Sequence, residues 1–565
     1  MTGPDKDEYD VVCVGGGLGG LAGAIRAHDL GARVLVLERS TMVGGVAAYS
    51  GGWCWAGANH LDEASGGGDT LEATETYLDH VQGEGRPVDR PARRAYLESA
   101  VAATRSLAEA GVPFTPVRRA SDLYGPGPGS TTEGRLFECV VPGAELGAWR
   151  GRLRPSVYYR TGVSRDEFHH VLGGDVAARL ALAREREGDD LLTHGLGLAA
   201  AFVREALVRR GVECCLEHRV SRLLTERDGG VDRVVGVVAE GPAGPVEVRA
   251  RRGVLLAVGG YGNAPDAAEL EDLPELIEAA PPVVAGDGLA LGQQVGATVV
   301  RGADPFVVLG ARFDEAVHPG TDEPLYSQLL ENLGFPHSLV VNRDGERFGD
   351  ESYYGALIRG IRTYDAARKR WRNFPCWLVV DDRFRRQYPL GPLAPGDPYP
   401  EAVTTADTLE ELAERTGIDP VGLAATVDRF NRFAEVGHDE DFERGHLPFA
   451  QAAYGDPRYP HPNLGPVSTG PFHALPLRVL GVGLSSLGLA VDADARVLRR
   501  DGSSVTGLYA SGNAAATREL KGYVTGLANT RNFTYAWCAA NHMVGHPTGA
   551  ATRGAPARPT SEPKE

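Results

Sequence analysis

The feature that most restricts what this chain can fold into is the run Gly15-Gly16-Gly17-Leu18-Gly19-Gly20, set between a strand pattern and a helix pattern. Asp10 to Val14 (DVVCV) is a short apolar run of the kind expected of a buried parallel strand, and Ala32 to Glu38 (ARVLVLE) is a second. Leu21 to Leu30 has helical character and completes a βαβ unit of ordinary length. G-x-G-x-x-G falls on Gly15, Gly17 and Gly20. The first glycine permits a tight turn, the second lets backbone approach a pyrophosphate, and the third lets the helix pack close to the strand. A pyrophosphate would rest on the helix N-terminus, where free N–H groups and the dipole favour an anion. Glu38 closes the second strand at the distance where an acid takes a ribose diol. The glycines alone are a weak signal; the strand before them, the helix after them and Glu38 make it specific.

Three further segments make FAD, rather than NAD, the expected cofactor. Gly44-Gly45 and Ala48-Tyr49-Ser50-Gly51-Gly52 follow the second strand directly, and small residues there let a flavin ring lie against backbone. Two more strand ends open into glycine turns, AVGGYG with Gly259 and Gly260, and GLYASGN with Gly512 and Asn513. FAD is long and needs several such contacts. A second convincing G-x-G-x-x-G is missing from the sequence, so the expected electron acceptor is not a nicotinamide. Leu18, Arg39, Ala47, Val220, Asp287, Leu527 and Ala528 complete the expected cofactor site.

Composition narrows the partners. The 565 residues suffice for two or three domains, and 42% hydrophobic residues provide a sizeable core. A net charge of −17 argues against nucleic acid and against an anionic membrane surface. The cysteines number seven with no C-x-x-C pair, which disfavours a disulfide framework or a zinc site and fits a reducing cytoplasm. The opening MTGPDKDEYD is too polar for a signal peptide, and no apolar stretch is long enough to span a bilayer.

The expected fold is α/β: a Rossmann-like FAD-binding domain with an inserted α+β substrate domain. Residues 1–287 form the first part of the FAD domain, 288–483 the insertion, 484–545 the second part, and 546–565 a disordered tail rich in Pro, Gly, Ser and Thr. Trp55 to about Ala200 reads as mostly helix and loop, and Ala199 to Arg210 as an amphipathic helix. Gly230 to Ala250 alternates like antiparallel strands, Gly253 to Val258 is a buried strand, and Leu527 to Val544 a helix. His169-His170 reads as a solvated helix face, not a metal site.

With these motifs placed, the sequence resembles the fumarate reductase/succinate dehydrogenase flavoprotein superfamily, and within it the 3-ketosteroid Δ1-dehydrogenases, to about Val544. GGVAAYSGG and Val341–Phe348 (VNRDGERF) with Glu351-Ser352 are similar to both groups. PCWLVVDDRFRRQYPLG, YGDPRYPHPNLGPVSTGPFHALPL and DADARVLRRDGSSVTGLYASGN are similar to the ketosteroid enzymes. Where the fumarate-reducing branch has a His-His pair for a dicarboxylate, this chain has Leu484-Ser485-Ser486-Leu487; near Val46 there is no histidine for a covalent flavin link, so FAD is expected to be non-covalent.

The resemblance implies removal of two hydrogens beside a ketone. Tyr354, or its neighbour Tyr353, would take the α-proton as tyrosinate. Tyr124, in Asp122-Leu123-Tyr124-Gly125-Pro126, would donate a hydrogen bond to that oxyanion. The Tyr523 O–H and Gly526 N–H would polarise the carbonyl, although Tyr523 precedes its glycine by three residues where the family has four. Arg531 would be an exposed helix residue or hold an acidic substrate group, and Arg347 would pair with a nearby acid. The expected substrate is a hydrophobic small-molecule ketone, with a steroid or a smaller cyclic ketone as the alternatives. The competing expectations are a flavin-dependent ene-reductase of a small α,β-unsaturated ketone or acid, and a flavoprotein without turnover that binds or senses.

Overall fold

The computed structural model describes residues 3–546 except 86, 160, 173–175, 229–230, 305 and 331; the side chains of 176, 177, 228, 231, 354 and 453 lie outside the description, as does the tail from 547. The strand Glu8–Val14 lies at the centre of the first sheet, parallel to Val34–Leu37 on one side and to Gly244–Leu256 on the other. Glu213–Cys215 and Ser504–Ala510 extend the parallel order outward, and Arg496–Leu498 closes one edge antiparallel. The end of the run expected as antiparallel strands at Gly230–Ala250 continues without a break into the strand expected at Gly253–Val258. Gly244–Leu256 pairs antiparallel with Val231–Gly241 at its start and parallel with Glu8–Val14 towards its end. Val11, Val12 and Cys13 are fully buried, so both faces of the strand are covered, which is why DVVCV runs apolar without alternation.

The helix Leu18–Asp29 packs behind this sheet against Leu527–Val544, whose bounds match the expected ones. Gly23 permits that packing: a Cβ there would meet the Leu255 side chain at 2.5 Å. Arg26 fastens the pair through Asn541 Oδ1 at 2.8 and 3.0 Å. The expected amphipathic helix at 199–210 is instead His194–Val203 continued by a π-turn at Arg204–Arg209, and His194–Val203 is buried along its whole length. Its small residues explain this: Gly195 lies against the Ala47 and Ser50 carbonyls, where a Cβ would come within 2.4 Å. No side of it is left for water, so it shows no polar stripe.

A second, largely antiparallel sheet is ordered Ser327–Gln328, Phe306–Ala311, Phe472–Leu484, Cys376–Asp381, Ser338–Asn342. Ile277–Glu278 joins it along Phe472–Leu484, while Asp287–Gln293 and Val299–Arg301 stay with the first body, the latter pairing with Leu487–Leu489. The chain therefore crosses between the two bodies more than once around 277–302. Cys376–Asp381 and Ser338–Asn342 are buried throughout. One face packs on Leu357, Ile358 and Ile361 of the helix Tyr354–Ile361, the other on Leu412, Val427 and Phe430 of Leu409–Thr416 and Pro420–Val436.

Glu278 stands at the crossing. Its carboxylate accepts from the Ala280 and Gly483 N–H groups at 2.8 and 3.0 Å, and desolvation raises its pKa from 4.5 to about 7. The folded chain thus holds this proton more tightly than the unfolded chain. The resulting stabilisation is complete below about pH 4.5 and is lost as pH rises through about 7. Glu278→Gln keeps an acceptor and removes the titration. Urea unfolding at pH 5 and pH 8 should show a wild-type decline, of which up to about 3 kcal/mol disappears in the variant; an unchanged difference would rule Glu278 out as its source.

Candidate active site

The carboxyl ends of the parallel strands open on a cavity lined by Gly15, Gly17, Leu18, Glu38, Arg39, Gly45, Ala47, Val220, Gly259, Asp287, Gly512 and Asn513. It continues into a second space lined by Ala47, Ser50, Gly51, Gly52, Asn513, Tyr523, Gly526 and Ala528. That space in turn shares Phe306, Leu484, Asn513, Tyr523 and Ala528 with a cavity of about 760 Å³ between the two bodies. The last has the size of a small-molecule site. Gly20 and Gly260 stand behind these walls instead of lining them. Gly20 seats the helix against the Gly15 carbonyl, where a Cβ would come within 1.9 Å, and Gly260 backs onto the Ser485 side chain.

Several features of the first cavity fit a dinucleotide. The helix Leu18–Asp29 has Gly17 as its N-cap and no side-chain cap, so its first-turn N–H groups lack that partner. A Cβ on Gly17 would find only the Gly45 Cα at 3.7 Å, so the glycine keeps backbone at the cavity surface. Glu38 accepts from the Gly16 and Ser40 N–H groups at 2.7 and 2.8 Å, which orients the carboxylate and leaves lone pairs for a diol. Arg39 and Asp287 pair at 3.0 Å across the rim. Two residues missed by the sequence reading carry unmatched polar atoms: Arg154 Nε and Ser511 Oγ are buried at the cavity wall without a hydrogen-bond partner. Both wait on a ligand with polar groups of its own. Ser511 lies within the GLYASGN turn and was within reach of the motif; Arg154 comes from a loop with no local signature.

Tyr124, Tyr353 and Tyr523 line the large cavity together. The Tyr124 and Tyr353 hydroxyls are hydrogen-bonded to each other, with the rings edge to face at 5.9 Å. Tyr523 stacks on Phe306 at 4.2 Å, a partner with no signal in the sequence. Gly526 has φ +84°, and a Cβ there would meet the Cys54 backbone at 2.8 Å, so this turn before Leu527–Val544 requires glycine. Tyr354 opens the helix Tyr354–Ile361; its side chain lies outside the described residues.

The turn that presents Tyr353 is held by buried charges. Arg347 donates to both Glu351 oxygens at 2.7 and 2.6 Å and to Asp439 at 3.1 and 2.9 Å, so the expected structural pairing of Arg347 is present. Ser352 Oγ donates to Asp350 at 2.6 Å and accepts from the Gly445 N–H at 2.9 Å, and the Tyr353 N–H donates to the Asp350 carbonyl at 3.2 Å. Burial raises the pKa of all three tyrosines. The Tyr124–Tyr353 bond acts in opposite senses on its two ends, raising Tyr124 and lowering Tyr353, and the positive charge of Arg359 lowers Tyr353 further. Either hydroxyl can donate in this bond, and the positive charge of Arg359 favours ionisation on the Tyr353 side.

Two expectations are corrected. Arg531 is neither exposed nor available to an acidic substrate: it is buried, paired with Glu519, and donates to the Gly512 and Ala516 carbonyls at 2.9 and 2.6 Å. His169 and His170 are not a solvated face. Both are half-buried, His169 lies 5.5 Å from the Trp53 ring, and burial pushes its pKa down to about 4. Among the described residues no cluster of His, Cys, Asp or Glu suits a metal, and no helix is long and apolar enough to cross a membrane.

Comparison with known proteins agrees with this arrangement. The family model described as FAD binding domain matches residues 10–529. 4-Oxocyclohexanecarboxylate 2-dehydrogenase of Sinomonas cyclohexanicum is 32% identical, over 98% of this chain and 97% of the relative. The crystal structure of 3-ketosteroid Δ1-dehydrogenase from Sterolibacterium denitrificans, in complex with 1,4-androstadiene-3,17-dione, is 30% identical with a TM-score of 0.83, over 96% of this chain and 100% of that one. The open conformation of a flavocytochrome c3 fumarate reductase, at 19% identity and a TM-score of 0.60 over 96% of this chain and 79% of that one, shares the fold. A pyrophosphate-ready helix end, an oriented ribose acid and a matched family model lead to one conclusion: the chain belongs to the FAD binding domain family and is an FAD-dependent oxidoreductase acting on CH–CH groups.

Proposed function

We propose that this flavoprotein is a dehydrogenase that introduces a C=C bond next to the ketone of a cyclic substrate. The observation that carries the reading is the bonded Tyr124–Tyr353 pair on the same cavity as Tyr523. Tyr353 Oη, as tyrosinate, takes the α-proton, and Tyr124 O–H supports the oxyanion. The Tyr523 O–H, kept protonated by burial, and the Gly526 N–H hold the carbonyl oxygen as charge builds on it. Bound FAD would supply the acceptor for the β-hydrogen as hydride. The flavin would be held without a covalent link, because Val46-Ala47-Ala48 offers no histidine or other nucleophile for one.

The opposite reading, reduction of a small unsaturated dicarboxylate, finds little support at Leu484–Leu487. Leu484 faces the cavity, and Ser486 is tied to Glu271, with Oγ donating at 2.5 Å and N–H at 2.9 Å. With a dye as acceptor, the purified holoprotein should oxidise cyclic ketones from a panel that includes a 3-ketosteroid and an oxocyclohexane. With reduced dye as donor it should leave fumarate unchanged. Robust fumarate reduction and no ketone oxidation would overturn the assignment.

A further inference from the structure

We infer that Asp122 is a positioning residue for the reaction: it sets the Tyr124–Tyr353 pair at a fixed spacing from the Tyr523–Gly526 side of the cavity. The inference rests on the dehydrogenase reading and adds a group that stands behind the cavity wall, off the surface that substrate meets. Asp122 is buried, and its carboxylate accepts from three donors. Oδ1 takes the Trp55 indole N–H at 2.8 Å; Oδ2 takes Arg135 Nη1 at 2.8 Å and the Thr131 N–H at 3.0 Å. Its backbone closes the same loop, the Asp122 N–H donating to the Thr131 carbonyl and the Gly125 N–H to the Asp122 carbonyl, both at 3.0 Å. Tyr124 lies inside that loop, so the hydroxyl that meets Tyr353 is carried by a segment that Asp122 ties down.

Trp55 carries the restraint to the other side of the cavity. Its backbone N–H donates to Thr530 Oγ1 at 2.9 Å in the first turn of the helix Leu527–Val544, and a Cβ on Gly526 would meet the same Trp55 nitrogen at 3.0 Å. The strand Cys54–Trp55 pairs with Leu136–Cys139, which brings Arg135 beside Trp55, its guanidinium 5.7 Å from the ring centre. One buried carboxylate thereby joins the loop of Tyr124 to the turn of Gly526 through a single side chain. Two groups that act on one proton transfer need such a fixed spacing, since a displacement of about 1 Å can cost about a hundredfold in rate. Asp122→Asn keeps the volume but has one acceptor oxygen, so its amide N–H groups must face either the Trp55 donor or those of Arg135 and Thr131. Arg135 keeps its charge partner in that variant, because Asp69 accepts from it at 2.7 and 2.8 Å. The substitution therefore loosens the link and leaves the buried guanidinium paired.

The test uses the holoenzyme with a dye acceptor and a cyclic ketone that the wild type oxidises, and reads kcat, KM and the pH limb of kcat/KM. Asp122→Asn should lower kcat roughly ten- to a hundredfold with KM changing little. Its limb should move to higher pH, as in Tyr124→Phe, because the hydroxyl beside Tyr353 is no longer held in place. Added to Tyr124→Phe, the same substitution should leave the limb where Tyr124→Phe put it, since its effect on the limb passes through that hydroxyl. Trp55→Phe removes one donor and leaves Arg135 and Thr131 on the carboxylate; it should lower kcat with the limb unmoved. The flavin spectrum and the amount of FAD bound should match the wild type in every variant. A limb that moves in Tyr124→Phe and stays in Asp122→Asn overturns the positioning role while the dehydrogenase reading stands. So does a further limb shift when the two are combined, or wild-type kcat in Trp55→Phe, a result that decides the matter even where Asp122→Asn does not fold. If no cyclic ketone reduces the dye, or Tyr124→Phe leaves the limb in place, the proposed mechanism falls and the inference with it.

Discussion

Replacing Tyr353 by phenylalanine should lower ketone oxidation by roughly 10²–10⁴-fold, the range expected for removing a general base, with FAD still bound. Tyr354→Phe should retain most of the turnover. The expectation follows from the cavity: the Tyr353 hydroxyl meets the Tyr124 hydroxyl on its wall, and the Arg347–Glu351–Asp439 cluster fixes the turn that puts it there. Because burial holds Tyr353 above the ordinary tyrosine value, only a small fraction is ionised near neutrality, and kcat/KM should climb with pH on the Tyr353 limb. Tyr124→Phe removes the donor that lowers Tyr353, so the limb should move to higher pH and the loss should be greatest at low pH. The pH–rate profile separates this from a packing defect, which would depress the rate at every pH alike. Near-normal turnover in Tyr353→Phe beside an inactive Tyr354→Phe would move the base by one residue; normal turnover in both would remove the tyrosinate from the mechanism.

The cofactor half of this molecule was legible because its signals are local. Gly15, Gly17 and Gly20 are dictated by backbone geometry within six residues, and Glu38 follows one helix and one strand later, so spacing alone places them. Leu527–Val544 was equally plain, since a glycine with positive φ stands immediately before it at Gly526 and another immediately after it at Gly545. The features that escaped depend on partners brought together by the fold. Arg531 looked like a surface or ligand-binding cation because nothing near it in the helix reveals Glu519, which lies in the preceding loop. His194–Val203 lost its expected amphipathic pattern because neighbouring segments close over every side of it. The proposed choice of Tyr353 over Tyr354 turns on a single residue of register, and the Asp350–Tyr353 turn that presents Tyr353 is built by Ser352 and Gly445, nearly a hundred positions apart. Arg154 and Ser511 show the same limit from the other side: an unmet buried polar atom is visible only once the wall around it exists.

Tyr523→Phe should cost about 10²–10³-fold in kcat, the usual loss for one oxyanion donor, and leave residual activity from the Gly526 N–H. The ring is expected to stay in place, because its stacking on Phe306 does not involve the hydroxyl. Loss of the O–H should therefore fall mainly on kcat, with KM for the ketone changing little, since the carbonyl oxygen carries most of its charge only as the α-proton leaves. Combining Tyr523→Phe with Tyr353→Phe supplies the decisive comparison. Two groups acting on the same proton-transfer step should be non-additive, so the double variant should be little worse than Tyr353→Phe alone. Full additivity would mean that Tyr523 acts in a separate step, such as closing the cavity wall with Phe306, and the polarising role would have to be given up.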